Sequence, residues 1–295
     1  MASDPRAVAL VPTLKRVVAV AGLTLREAYR RKVFIAALVM SGGFLLLFGL
    51  GLHFAGGAIL PQAGVADELA RRVVATQLLN LGLMPASFIV GLTAVFASVG
   101  SISGELDTGV AYGVLARPVR RAEVVVGKFL GLAVMLAAYD VLLVAGLAGL
   151  AAWQVGTPLR NLPGALLFFA MEPVLLVAIA VLGSTRLPTL ANGVLCTAAY
   201  GVAWVGGGIE QIGGLIKNAT MQNIGIIASL LLPVDAMHRK AMSMLVPQGL
   251  LGLDAAGAVG MGTPALPSVW MTVYAIAYVV AIVWFAGWVF SRRDL

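Results

Sequence analysis

Residues 104–131 read "GELDTGVAYGVLARPVRRAEVVVGKFLG". Glu105, Asp107, Arg117, Arg120, Arg121, Glu123 and Lys128 are crowded between two long apolar runs. The chain around them has 295 residues, is 60% hydrophobic and only 11% charged, whereas a soluble domain carries about 25% charged residues. Such a composition cannot cover a water-facing surface. Several apolar stretches are also long enough for a helix of roughly 20 residues to cross the hydrocarbon core. The fold class is therefore all-α and polytopic in a membrane, and residues 104–131 mark where the chain leaves the membrane for water.

Six segments read as spanning helices, at about 33–53, 80–102, 128–151, 163–183, 189–209 and 269–290. An even number places both termini on one side. With the termini inside, 14 of the 20 Lys and Arg residues fall inside and 6 outside, so the positive-inside bias favours cytoplasmic ends. The organisation expected is a cytoplasmic N-terminus and amphipathic helix over 1–32, then one six-span domain over 33–295. That domain carries a cytoplasmic loop at about 103–127 and an outer segment at about 210–268. The first 32 residues are too polar, and the first apolar run too long, for a cleaved signal peptide. The net charge of +7 suits membrane orientation better than nucleic acid, because the basic residues are scattered and no zinc or RNA-binding signature accompanies them.

Ahead of the first span, Leu14, Val17, Val18, Ala21, Leu25, Ala28 and Tyr29 share one helical face, and Lys15, Arg16, Arg26, Glu27, Arg30 and Arg31 the other. This helix is expected to lie in the inner headgroup layer, with its basic face near anionic lipid. In the outer segment "IGIIASLLLP", 224–233, is apolar but too short to cross, which predicts an interfacial or re-entrant helix. A seventh span over 224–246 would bury Asp235, Arg239 and Lys240 and send Arg292 and Arg293 outside, both unfavourable.

Within the opening stretch, 103–116 can form a short helix in which Gly109 and Gly113 stand one above the other, allowing another backbone to approach. Pro118 stops that helix. Glu123 then falls in the first turn of the next, where the dipole favours an anion, and Gly127 and Gly131 repeat the four-residue spacing. A helix, a break and a second helix displaying charge to the cytoplasm form a docking architecture; the bland alternative is a solvated loop whose charges only set topology.

The run Glu105, Gly109, Leu115, Pro118, Val119, Arg121, Glu123, Gly127, Lys128, Phe129 resembles the pattern in permease subunits of ABC-2 type transporters, particularly the six-span group that includes the permease for nitrous oxide reductase maturation. Arg120 departs from it: the usual Ser would form a capping box with Glu123, and an arginine has no acceptor. The resemblance implies that the loop is a coupling helix seated on an ATPase subunit through Glu105, Asp107, Gly109, Gly113, Arg117, Pro118, Arg121, Glu123, Gly127 and Lys128. It further implies a second permease subunit, homo- or heterodimeric, a role in export, and a bacterial or archaeal cytoplasmic membrane. ATP and Mg would be held by the partner, with no cofactor on this chain. In agreement, Gly127-Lys128 is followed by Phe129 and lacks the glycine-rich turn of a phosphate loop.

Two carboxylates lie in mid-span, Asp140 in the third and Glu172, just before Pro173, in the fourth. Each costs about 2.5–3.5 kcal/mol at a helix centre. With no basic residue expected at that depth, they should be protonated, hydrogen-bonded to Tyr139, Asn192, Thr197 or Tyr200, or exposed to a watery cavity. They line the translocation path or form a polar clasp between helices. Two other function classes stay open: an ion- or proton-coupled secondary carrier using Asp140 and Glu172, and a membrane-embedded enzyme. The enzyme needs a nucleophile, base or metal constellation, whereas His53 and His238 stand isolated and Cys196 is alone.

Overall fold

The computed structural model describes residues 5–59, 65–104, 120–157, 159–245 and 267–292. Among the described residues all regular structure is helical: α1 Pro5–Arg30, α2 Lys32–Ile59, α3 Val65–Ser98, α4 Arg121–Val155, α5 Leu162–Ser184, α6 Thr189–Leu215, α7 Ala219–Leu231, α8 Val234–Leu245 and α9 Val269–Ser291. Six of these (α2–α6 and α9) are long and apolar enough to cross a membrane, and each overlaps a span expected from the sequence. Their ends follow local chemistry. Gly156 closes α4 in the left-handed region at φ 68°, Asn161 caps α5 by accepting the Gly164 N–H, and Ser268 caps α9 by accepting that of Met271.

The helices α3 to α6 alternate in direction and surround a core in which α5 is central, with Phe169, Leu175, Leu176, Val177, Ala178, Ala180 and Val181 all buried. By contrast α2 turns Leu46, Leu47, Leu50 and Phe54 outward, the arrangement of a helix facing lipid, where burial of apolar side chains gives no advantage. Gly287 of α9 lies against Ala122 at the start of α4. The end of the last span is thus on the same side as the connection between α3 and α4, here called the loop side.

The α7–α8 pair is bent by 101°. It leaves α6 on the far side, and its other end returns there, because the Leu245 and Met244 carbonyls accept the N–H groups of Arg160 and Asn161, the residues just before α5. The pair is re-entrant. The expectation for 224–233 holds, but the reason given against burying Asp235 and Arg239 does not: both are buried although the segment does not cross. Lys240 is half-buried, its Nζ donating to the Pro267 carbonyl at 3.1 Å.

The N-terminal helix differs from its sequence reading in a useful way. Its apolar face divides: Val17 and Ala28 are buried, whereas Leu14, Val18, Leu25 and Tyr29 are exposed. Arg31 leaves the basic face, bonding Glu27 at 2.7 Å and the Ala97 carbonyl at 3.4 Å. With Lys15, Arg16, Arg26 and Arg30 exposed, α1 has a protein face, an apolar face and a basic face, the section of a helix lying where protein, lipid and water meet.

Candidate functional site

Two polar constellations stand out, one at the loop side and one in mid-membrane. The first gathers around residues 97–104, the end of α3 and the tail that leads into 105–119. Backbone groups at a helix end need partners, and here three other helices and the α1–α2 break supply them. From α4, the buried Lys128 Nζ donates to the Ser101 carbonyl, while Arg31, at the α1–α2 break, reaches Ala97. From α5, Ser184 Oγ accepts the Ile102 and Ser103 N–H groups at 2.8 and 3.0 Å. From α6, Thr189 Oγ1 lies 2.9 Å from Ser103 Oγ, and Asn192 Nδ2 donates to the Val99 carbonyl at 3.0 Å and to Ala180 of α5 at 2.8 Å.

The return from the loop is equally fastened. Glu123 Oε2 accepts the Arg120 N–H at 3.1 Å and lies 3.9 Å from Arg16 of α1. Half of a capping box therefore survives the loss of the family serine; Arg120 itself supplies no side-chain cap. Gly127 and Gly131 do permit close approach, and the backbone that approaches is α1: a Cβ on Gly127 would meet Val20 Cβ at 2.6 Å, and one on Gly131 the Ala21 carbonyl oxygen at the same distance. Glu123, Gly127 and Lys128 are buried within the chain. They therefore anchor the loop to α1 and α3 and offer no exposed surface to a partner. Arg121 is half-exposed. The expected contacts Glu105, Asp107, Gly109, Gly113, Arg117 and Pro118 lie outside the described residues.

The second constellation is where α8 inserts between α5 and α6. The buried His238 places Nδ1 3.0 Å from both Glu172 Oε1 and Ser87 Oγ, with Phe169 edge-on and Trp204 beside the ring. Arg239 Nη2 donates to Glu210 Oε2 at 2.6 Å, and its Nε lies 2.8 Å from Asp235 Oδ2. Room for Asp235 comes from Gly207, where any Cβ would collide with the carboxyl group.

This overturns the expectation that no basic group reaches the depth of the two mid-span carboxylates. Glu172 pairs with His238, an isolated histidine in sequence, and not with Tyr139, Asn192, Thr197 or Tyr200. Tyr139 bonds Ser41, Tyr200 donates to the Ser87 carbonyl at 2.9 Å, and Asn192 serves the loop-side junction. Asp140 is buried, and its Oδ2 finds no hydrogen-bond partner among the described residues. A sequence signal for the missed partners existed in the spacing of Asp235 and Arg239, an i,i+4 pair on a short helix.

The chemistry available is binding and fastening. Ser87 and Glu172 meet the same imidazole nitrogen, so the ring cannot relay a proton from serine to acid through its two nitrogens as a hydrolase requires. Among the described residues no group of three or more His, Cys, Asp or Glu side chains could hold a metal ion.

A family model described as "ABC-2 family transporter protein" matches residues 18–295. It does not single out the nitrous oxide reductase maturation group. No curated protein matches the chain.

Proposed function

The chain belongs to the ABC-2 transporter family, and on that premise we propose that it is an export permease driven through residues 103–127 by a separate ATPase. Membership makes it a multi-pass membrane subunit of an ABC transporter, with an ABC ATPase as its partner. Beyond membership, two six-span units pair in the bacterial or archaeal cytoplasmic membrane. ATPases that hold ATP and Mg lie below, and both ends of this chain are cytoplasmic. The orientation is supported by the Lys and Arg bias, which keeps its size when the two buried cations, Lys128 of the inner set and Arg239 of the outer set, are both left out.

One observation carries the reading: the end of α3 and the tail that leads from it into the loop are together bonded to α4, α5, α6 and the α1–α2 break. A push on 105–119 would then move five helices together and not bend one connection. Charged residues Glu105, Asp107, Arg117 and Arg121 would make the partner contacts, with Gly109 and Gly113 allowing close seating and Pro118 shaping the turn. Glu123, Gly127 and Lys128 would carry the displacement to α1 and α3. On the far side the re-entrant pair would be the exit gate, moved by conversion between two packed arrangements.

Purification of the full chain with its ATPase tests this. Charge reversal at Glu105 or Arg121 should weaken ATPase retention by about tenfold, ~1.4 kcal/mol, while the permease keeps its melting temperature. Solute transport by the chain without an ATPase, or unchanged retention in the doubly reversed variant, would overturn the reading.

A further inference from the structure

The break between α1 and α2 carries charge that the fold itself does not use. A cleft of about 910 Å³ opens there, lined by Arg26, Glu27, Tyr29, Arg30 and Arg31. Three guanidiniums thus meet one carboxylate, a surplus of two positive charges. Glu27 stands three residues before Arg30 and four before Arg31, both within reach on a helix, and it takes Arg31 at 2.7 Å. Arg26 and Arg30 are exposed and have no ion-pair partner among the described residues. They are also an i,i+4 pair of like charge, which is unfavourable on a helix surface. The other carboxylate beside α1 among the described residues, Glu123, lies next to Arg16, fourteen residues before Arg30 and about 21 Å away along the helix.

The depth of the cleft identifies the anion that fits it. Lys32 opens the first span, and Arg26 precedes it by six residues, about 9 Å of helix, so the cleft is level with the headgroups of the loop-side leaflet. Large apolar side chains are exposed on both sides of the break: Leu25 and Tyr29 on α1, Val33 and Ile35 on α2. A phospholipid answers both features, with a phosphate for the guanidiniums and acyl chains for the apolar side chains. A soluble acidic protein answers only the first. The planar guanidinium suits phosphate oxygens, and a lipid without an ammonium of its own also brings the net negative charge that the surplus calls for.

We propose that this cleft binds a phospholipid of net negative charge, its phosphate held by Arg26 and Arg30, and that the bound lipid is an effector of the loop-side junction. The link is Arg31. Its Nη2 donates to Glu27 and its Nη1 to the Ala97 carbonyl at 3.4 Å, so one guanidinium joins the α1–α2 break to the end of α3. Without the lipid, Arg30 competes with Arg31 for Glu27. With a phosphate on Arg30, Glu27 belongs to Arg31 alone and the link to α3 is fixed. The effector role rests on the reading that the loop is driven by an ATPase; the lipid site does not.

Native mass spectrometry of the full chain, delipidated in detergent and titrated with phosphatidylglycerol or with phosphatidylcholine of the same acyl chains, tests the site without any partner. One phosphatidylglycerol should bind about tenfold more tightly than phosphatidylcholine, the scale expected of two basic residues at an anionic interface. Arg26→Gln with Arg30→Gln should abolish the preference. Lys15→Gln with Arg186→Gln, which removes the same charge from exposed loop-side positions, should leave it, and the phosphoglycerol headgroup without acyl chains should not displace the lipid. For the effector role, hydrogen exchange over 97–104 should be slower in vesicles containing phosphatidylglycerol than in phosphatidylcholine alone, and the difference should disappear in the Arg26 and Arg30 double variant. Equal binding of the two lipids, a preference that survives that variant, or displacement by the free headgroup would overturn the lipid site. If the variant instead loses its ATPase with lipid binding unaltered, the cleft is a protein contact and the proposal fails. Selective binding with unchanged exchange would overturn the effector role.

Discussion

The two polar constellations do the same mechanical task by different means. At the loop side, a helix end and its tail are held chiefly by hydrogen bonds between backbone groups and the side chains of Ser184, which accepts, and Asn192 and Lys128, which donate, in a region that borders water. In mid-membrane, α8 is held by charge pairs between side chains that are buried or nearly so, Glu172 with His238 and Glu210 with Arg239. Backbone bonding suits an element that is displaced as a unit with its neighbours, since the bonds travel with it. Charge pairs suit an element with two discrete positions, because a buried pair is either complete or strongly unfavourable.

The contrast meets its hardest test at Arg239. Arg239→Leu leaves Glu210 and Asp235 buried with no guanidinium, and removing one partner of a buried pair costs about 3–5 kcal/mol. The expected outcome is a large loss of thermal stability in detergent, read by fluorescence-detected size exclusion. Adding Glu210→Gln and Asp235→Asn should restore most of it, because the penalty arises from unpaired charge and not from lost packing. If the triple variant is no better than the single one, charge pairing is not what seats α8.

Why was one constellation legible and the other not? The loop-side junction lies next to a sequence anomaly: charges between apolar runs, a proline stop and two glycine pairs. Its local geometry could be read from spacing, including the Gly127–Gly131 approach, although the approaching backbone proved to be α1. The tail's partners, Ser184 and Asn192, are 82 and 93 residues from the groups they bond and leave no periodic trace. The mid-membrane cluster is long-range throughout. Glu172 and His238 are 66 residues apart, and α8, with its Asp, His and Arg, reads as an outer loop because hydropathy weighs each charge alone. Pairing removes most of that penalty, so a polar helix can sit where composition would not put it. The spans themselves were readable because hydrocarbon thickness fixes their length.

A smaller effect is expected where α1 meets α4. Gly131→Val would drive a side chain into the Ala21 carbonyl and Thr24, an overpacking that costs about 1–3 kcal/mol and is relieved by lifting α1 from α4. The six spans should still insert. Cysteines placed at Arg16 and Glu123, whose side chains meet across the same contact, and joined by a bifunctional thiol reagent in a Cys196→Ser background would report the contact: efficient in the parent, poor with Gly131→Val. Since α1 is proposed to follow the loop, transport should fall more than stability does. Equal cross-linking in both would mean that α1 is held by other contacts and that the glycine pair is incidental.

The smallest effect separates the two regions by their response to salt. Glu123→Gln keeps an acceptor for the Arg120 N–H but removes the charge that faces the α4 N-terminus and Arg16. Such a charge near a helix end contributes about 0.3–1 kcal/mol at low ionic strength. Arg16 is 43% exposed at the side chain, so ions can reach this pair, and raising the salt from tens of millimolar to about 1 M, where the Debye length falls to roughly 3 Å, should erase most of the difference between variant and parent. The deficit of Arg239→Leu should hardly change over the same range, since the Arg239 and Glu210 side chains are only 9% and 13% exposed. Melting curves of the two variants against salt would therefore run in parallel only if the junction were as dry as the mid-membrane cluster, and the division of labour between them would then be lost.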